Sequence, residues 1–259
     1  MKNNKPRILC FDIESSFNLV YTFDLYPDFI GHNNIVQERH IYCIAYKWYG
    51  SKKVHTISIL DDLKRFKKDN HDDYHVCSEF MKVLEEADAV VAHYGDKFDV
   101  PMLNARLIKN GLSPFPKVTQ IDTKKLASRY FRFNSNRLDY LAKFFGHEGK
   151  MENPKDLWQK CFVGDVKAIK HMVKYCKQDI VSLELVFDKL MPFVKNHSLN
   201  MGMFIKGVRC TNPTCGSTNI QWRGYNTTKT ARYRRFQCQD CGQWGNERSA
   251  LKDIKVEVK

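Results

Sequence analysis

Two residue patterns divide this chain, and their incompatibility constrains the fold more than any single motif. Up to about Pro192, short apolar runs alternate with segments of helical periodicity. Beyond it Pro, Gly, Asn, Thr and Cys become frequent and the periodicity ends. Ile8 to Phe11 with Ile13 reads as a buried strand closed by Ser15-Ser16. Ile41–Tyr49 and Lys53–Ile59 read as a hairpin turning at Gly50-Ser51, and Ala89–Ala92 as another buried strand. Helices are predicted over Ser78–Glu86, Val100–Asn110, Asn136–Phe145, Asp165–Tyr175 and Gln178–Met191. Gly111 and Gly146 stand just past two of them, where helices commonly end. Strands and helices mixed in one continuous pattern predict an α/β architecture for residues 1–195. A boundary falls between residues 195 and 208, and a small second module is expected over residues 205–250.

Composition excludes several classes. A 43% hydrophobic content suffices for a core, so wholesale disorder is not expected. No run approaches the ~20 apolar residues of a membrane span, and the polar start Met1-Lys2-Asn3-Asn4-Lys5 is no signal peptide. Nine cysteines, an odd number without secretory context, predict a reduced cytoplasmic setting, which for a viral chain would be the host cytoplasm. The net charge is +13, and residues 195–259 hold 12 basic against 4 acidic residues. A dense positive patch favours a polyanionic partner, although a solubilising surface would look the same.

Three acidic motifs are each ordinary alone. Asp12 and Glu14 are two apart on a strand, so they share a face. That arrangement suits a hard cation such as Mg²⁺ or Mn²⁺, but it is also a common polar strand exit. Asp99 follows a strand and opens a helix before Pro101, which makes it a plausible N-cap. Tyr175 and Asp179, four apart, share a helix face, as many surface pairs do.

Their order is what is specific. Phe11-Asp12-Ile13-Glu14, then Lys97-Phe98-Asp99-Val100-Pro101, then Tyr175-Cys176-Lys177-Gln178-Asp179, resembles the DEDD 3′→5′ exonucleases. Tyr175, four before Asp179, matches the tyrosine subgroup; the histidine subgroup has His five before, where this chain has Lys174. Glu38-Arg39-His40-Ile41, Ile121-Asp122-Thr123 and Ser135-Asn136-Arg137-Leu138-Asp139 are similar to segments of exonucleases related to family B polymerase proofreading domains. The resemblance spans roughly residues 7–192. It implies a ribonuclease H-like mixed β-sheet flanked by helices, with Asp12, Glu14, Asp99 and Asp179 as ligands of two Mg²⁺ or Mn²⁺ ions. Tyr175 would orient the attacking water; Phe98 and Leu103 are candidates to meet the terminal bases, with core packing the commoner role for such residues. Tyr94 departs from the family, which usually has Asn five residues before the middle Asp.

Cys210 and Cys215, then Cys238 and Cys241, form two close pairs, each ending in glycine. Without an intervening His, the pattern predicts one structural Zn²⁺ on four thiolates. The module resembles zinc ribbons of DNA-handling proteins. Arg223, Arg232, Arg234 and Arg235 are the residues expected to meet nucleic acid; the aromatics among them could stack on bases or fill a mini-core. The expected activity is removal of nucleoside 5′-monophosphates from single-stranded or frayed 3′ ends, DNA being favoured by resemblance. Replication or repair proteins are possible partners. Two other classes stay open: a non-catalytic nucleic-acid binder, and an RNA exonuclease or structure-specific endonuclease using the same acids.

Overall fold

A computed structural model describes residues 5–147, 151–195 and 198–251. The chain starts on β1 (Ile8–Ser15), then passes a small ladder of β2 (Leu19–Val20) with β3 (Ile35–Gln37). β4 (Ile41–Trp48) and β5 (His55–Ser58) form the expected hairpin, with Gly50 at φ 79° in its turn. α1 (Leu63–Lys68) and α2 (Tyr74–Leu84) lead to β6 (Ala89–Ala92); α3 (Asp99–Lys109) leads to β7 (Thr119–Asp122). α4 (Thr123–Tyr130), α5 (Leu138–Phe144) and α6 (Leu157–Phe162) precede α7 (Val166–Leu190).

The main sheet runs β5-β4-β1-β6-β7. β1 is antiparallel to β4 and parallel to β6, so the sheet is mixed, with β1 at its centre. A central strand is covered on both faces, which is why Ile8–Phe11 is a continuous buried apolar run. Phe11 points to one face, where its ring lies 5.3 Å from that of Phe80 on α2. Asp12 points to the other, where the thiol of Cys176 on α7 lies 3.6 Å from its carboxylate. The sheet is thus sandwiched between α2 and α7.

Several sequence expectations need correction. The two late helices are one 25-residue helix, α7, capped by Asp165, which accepts from the Lys167 and Ala168 amides. Its buried stripe runs unbroken through the junction by way of Met172, Tyr175, Cys176, Ile180 and Leu183. α2 begins at Tyr74 rather than Ser78. α1, α4 and α6 were not anticipated; each has eight residues or fewer, too few for a clear periodicity. Leu103, expected at the substrate, is fully buried in the core, packed there by the apolar face of α3, and cannot touch a bound strand.

A second sheet follows, β10-β9-β8, from β8 (Ile220–Thr227), β9 (Arg232–Cys238) and β10 (Trp244–Asn246). Phe236 fills its small core; a Cβ on Gly245 would stand 2.4 Å from that ring, so only glycine fits there. Among the described residues no helix is long and apolar enough to cross a membrane.

Candidate active site and ribbon

β1 places Asp12 and Glu14 on the α7 side of the sheet, and α7 brings Asp179 to them. Oxygens of these three carboxylates lie within 4.8 Å of one another. That spread is close to the ~4.2 Å between opposite ligands of a single Mg²⁺ ion. Asp99 is 2% exposed, and its carboxylate accepts a 3.1 Å bond from the Ile13 amide, between the two β1 acids. It does not cap α3: Phe98 occupies the N-cap and Asp99 lies in the first turn. The middle motif is therefore stitched directly to β1.

The cluster is electrostatically costly without a cation. Burial, then Asp99, Glu14 and Asp179, raise the Asp12 carboxyl well above the usual range. Burial pushes Asp99 up to about 7 against the opposing Ile13 amide. Buried acids in mutual repulsion hold protons until a divalent ion replaces them. The all-carboxylate donor set suits a hard cation. Burial, followed by Asp179 and Glu14, raises the Tyr175 hydroxyl, which is hydrogen-bonded to Asp179.

The loop before Asp99 is fixed by residues to which the sequence reading gave no role. Asp122, at the end of β7, accepts from the amides of Lys124 and Lys125 and reaches back to those of Tyr94 and Asp96. His93 joins the Thr123 hydroxyl and the Asn136 carbonyl, each at 2.9 Å. Tyr94 has φ 74°, the single positive value for a non-glycine among the described residues. That conformation suits Asn far better than Tyr. The Tyr94 ring is exposed, with the Lys124 ammonium 3.7 Å from its centroid. Half-buried Phe98 lines a cavity of about 410 Å³ together with Arg39, Lys97 and Lys109, with Glu38 among them, so the lining is basic on balance.

A further set of positioning groups lies behind α3. Asp73, fully buried, accepts from Arg106 Nε at 2.6 Å and Nη2 at 3.0 Å, from Asn110 at 2.8 Å and from the Ile41 amide at 3.0 Å. This one carboxylate ties α2, α3 and β4 together. Its partners are 32 or more residues away, so sequence spacing carried no signal for it.

In the second sheet, the sulfurs of Cys210, Cys215, Cys238 and Cys241 converge within 4.8 Å. Cys210 and Cys241 are 3.6 Å apart, Cys215 and Cys238 3.8 Å. Four Zn–S bonds of ~2.3 Å in a tetrahedron put sulfurs about 3.8 Å apart. The donor set fits zinc.

Sheet register sorts the arginines. Arg232 and Arg234 lie on one face, their guanidiniums 3.8 Å from the Tyr225 ring and 4.2 Å from the Trp222 ring. Arg235 lies on the opposite face, 4.6 Å from the Trp244 ring. Arg223 is bonded to the Gln221 side chain at 2.9 and 2.6 Å. The aromatics support arginines rather than forming only a mini-core; Phe236, edge-on to Trp222, is the buried one.

A sequence model of the RNase_H superfamily matches residues 30–191. That span holds Asp99, Tyr175 and Asp179; Asp12 and Glu14 precede it and join them through β1. Among solved structures, the family B DNA polymerase from the hyperthermophilic archaeon Pyrobaculum calidifontis is similar with a TM-score of 0.54 and 17% identity. The similarity covers 73% of this chain and 25% of that one, so this chain corresponds to about a quarter of the polymerase. At that identity the likeness is one of fold. No curated protein matches the sequence.

Proposed function

The chain belongs to the RNase_H superfamily, and from that premise we propose that it is a metal-dependent 3′→5′ exonuclease of the tyrosine DEDD subgroup. The observation that carries the reading is the meeting of Asp12, Glu14 and Asp179 from two distant elements, with Asp99 stitched between the first two. The set is of one chemistry, and nothing in packing requires it.

Asp12, Glu14, Asp99 and Asp179 would hold two Mg²⁺ or Mn²⁺ ions, which supply an activated water and neutralise charge on the leaving 3′ oxygen. Tyr175 keeps its proton at neutral pH, because burial and Asp179 raise it. It therefore acts by hydrogen bonding, orienting water rather than deprotonating it. Phe98 meets the terminal base at the basic cavity, and Lys97 and Arg39 meet phosphates. A 3′ end must enter beside a buried acid cluster, which favours single-stranded or frayed substrate. The four thiolates hold a structural Zn²⁺, and Arg223, Arg232, Arg234 and Arg235 grip the strand. Resemblance to a polymerase domain favours DNA and a place in replication or repair.

The test is a 5′-labelled single strand with Mg²⁺ or Mn²⁺, run as matched DNA and RNA. A ladder shortening from the 3′ end is expected, together with 5′-monophosphates as product. Folded protein that produces no ladder would refute the proposal. Cutting of a circular single strand would assign endonuclease action instead. Binding without cleavage would assign a nucleic-acid binder.

A further inference from the structure

The ribbon has two chemically different faces. Cross-strand partners share a face, and so do residues two apart on a strand. Tyr225 pairs with Arg234 and Trp222 with Phe236, which defines the first. Asn226 pairs with Tyr233, Asn246 with Arg235 and Trp244 with Gln237, which defines the second. The second face and the segment that connects the ribbon to the main domain border an open cavity of about 730 Å³. Asn226, Arg235, Trp244 and Asn246 are exposed there.

Asn226, Arg235, Trp244 and Asn246 line this cavity from the ribbon, Lys195 and Asn200 from the connecting segment. Among the described residues no acidic side chain lines it. The size lies in the range of small-ligand sites, ~300–1,000 Å³. Arg235 is held in place: its Nε donates to the Arg223 carbonyl at 3.0 Å while its guanidinium stacks on Trp244. A guanidinium held in this way is a preorganised anion binder.

We propose that this cavity is a second nucleic-acid subsite, which takes one nucleotide of a single strand whose 3′ end is in the acid cluster. Carboxamides carry a donor and an acceptor side by side, the pattern that pairs with a base edge. The three asparagines supply three such pairs around one indole. Trp244 offers a stacking surface, and Lys195 and Arg235 supply charge for the flanking phosphates. The base edges, and not only the backbone, are read here. An acidic peptide would use the two cations but leave the amides and the indole without matching groups.

The inference rests on the nucleic-acid reading of the active site, and the experiment separates the two. The full-length, zinc-loaded chain carrying Asp12→Asn is titrated by fluorescence anisotropy with a labelled single strand. An abasic strand of equal length, which has the phosphates without the bases, is titrated alongside. Trp244→Ala, and separately the Asn226→Ala/Asn246→Ala pair, should weaken binding of the normal strand about tenfold. The asparagine pair should leave the abasic strand unchanged, and Trp244→Ala, which also frees Arg235 from its stack, should weaken the abasic strand less than the normal one. Trp244→Phe should retain most of the affinity, and zinc content should stay at about one per chain. Equal losses on both strands, no loss on either, or equally tight binding of a polyglutamate peptide would overturn the subsite. If Trp244→Ala loses zinc, the exposed asparagine pair decides. Hydrolysis of thymidine 5′-p-nitrophenyl phosphate by chains retaining Asp12 reads the active site alone. It should be unchanged by Trp244→Ala; its absence in the unaltered chain would overturn the exonuclease reading and leave the binding result standing.

Discussion

Replacing Asp12 with Asn should abolish cleavage and, without divalent ions, make the protein more stable. The amide keeps the shape of the side chain and removes one negative charge from a half-buried position. Asp12 faces Glu14 and Asp179 with ligand oxygens within 4.8 Å. At that separation and an effective dielectric constant of ~20, each pair of charges repels by about 3.5 kcal/mol. Two such pairs give ~7 kcal/mol; Asp99, the largest of the charges raising Asp12, adds to it, and proton uptake lowers the total. Asp99, pushed up to about 7, shows the scale of that uptake: three pKa units correspond to roughly 4 kcal/mol. The expected gain at pH 8 is therefore about 2–4 kcal/mol, or a rise of roughly 5–10 °C in Tm.

The pH dependence follows from the direction of the shifts. Asp12 and Asp99 have raised folded-state pKa values, so the folded chain binds more protons than the unfolded chain above pH ~4. Stability of the metal-free protein should fall as pH rises from about 4 through about 7. The advantage of Asp12→Asn should shrink at pH 5, where the site is largely protonated. Mg²⁺ should raise the Tm of the unaltered chain more at pH 8 than at pH 5, and that of Asp12→Asn much less. The assay is thermal melting in buffer freed of divalent ions over resin, because a soluble chelator would also strip the ribbon. Melting of Asp12→Asn at or below the unaltered chain at pH 8 would refute the claim that these carboxylates are in mutual conflict.

Three further outcomes test separate parts of the structure. Arg106→Ala leaves the fully buried Asp73 without its bidentate partner and should cost about 3–5 kcal/mol, measured as a lowered urea midpoint. Tyr175→Phe should slow single-strand hydrolysis by about 10²-fold while changing stability by only ~1 kcal/mol, measured by single-turnover kinetics beside a melt. Cys238→Ser should reduce zinc from about one per chain to none, read by metal analysis, with the main domain still cooperatively folded.

The acids were legible in sequence because each sits where chain geometry is local. Parity along β1 put Asp12 and Glu14 on one face, and spacing along α7 put Tyr175 beside Asp179. What supports them was not legible, because support comes from far along the chain. Asp73 stands at the N-cap position of α2 without making a side-chain cap bond, and its partners are on β4 and α3. Asp122 does cap its own helix, and the same carboxylate also holds the loop that precedes Asp99. Asp99 taken alone looks like a cap, whereas the order of the motifs grouped it with the other acids; its carboxylate accepts from the Ile13 amide on β1.

These cases share a physical cause. Near a site, residues are chosen for charge and reach, so local rules fail there first. The position of Asp99 before Pro101 is such a failure: it reads as a cap, and its carboxylate goes to the Ile13 amide instead. Tyr94 is another: a bulky residue is held at φ 74° by the Asp122 carboxylate on its amide and by Phe98 and Lys97 on its carbonyl. Strain of this kind persists only where the surroundings over-determine the backbone. The loop is therefore built to hold Phe98 and Asp99 in place first, and the side chain at position 94 is secondary to that. Where the exonucleases that this chain resembles usually have Asn, Tyr94 puts an exposed ring on the loop, and under the proposed function a strand would pass over it.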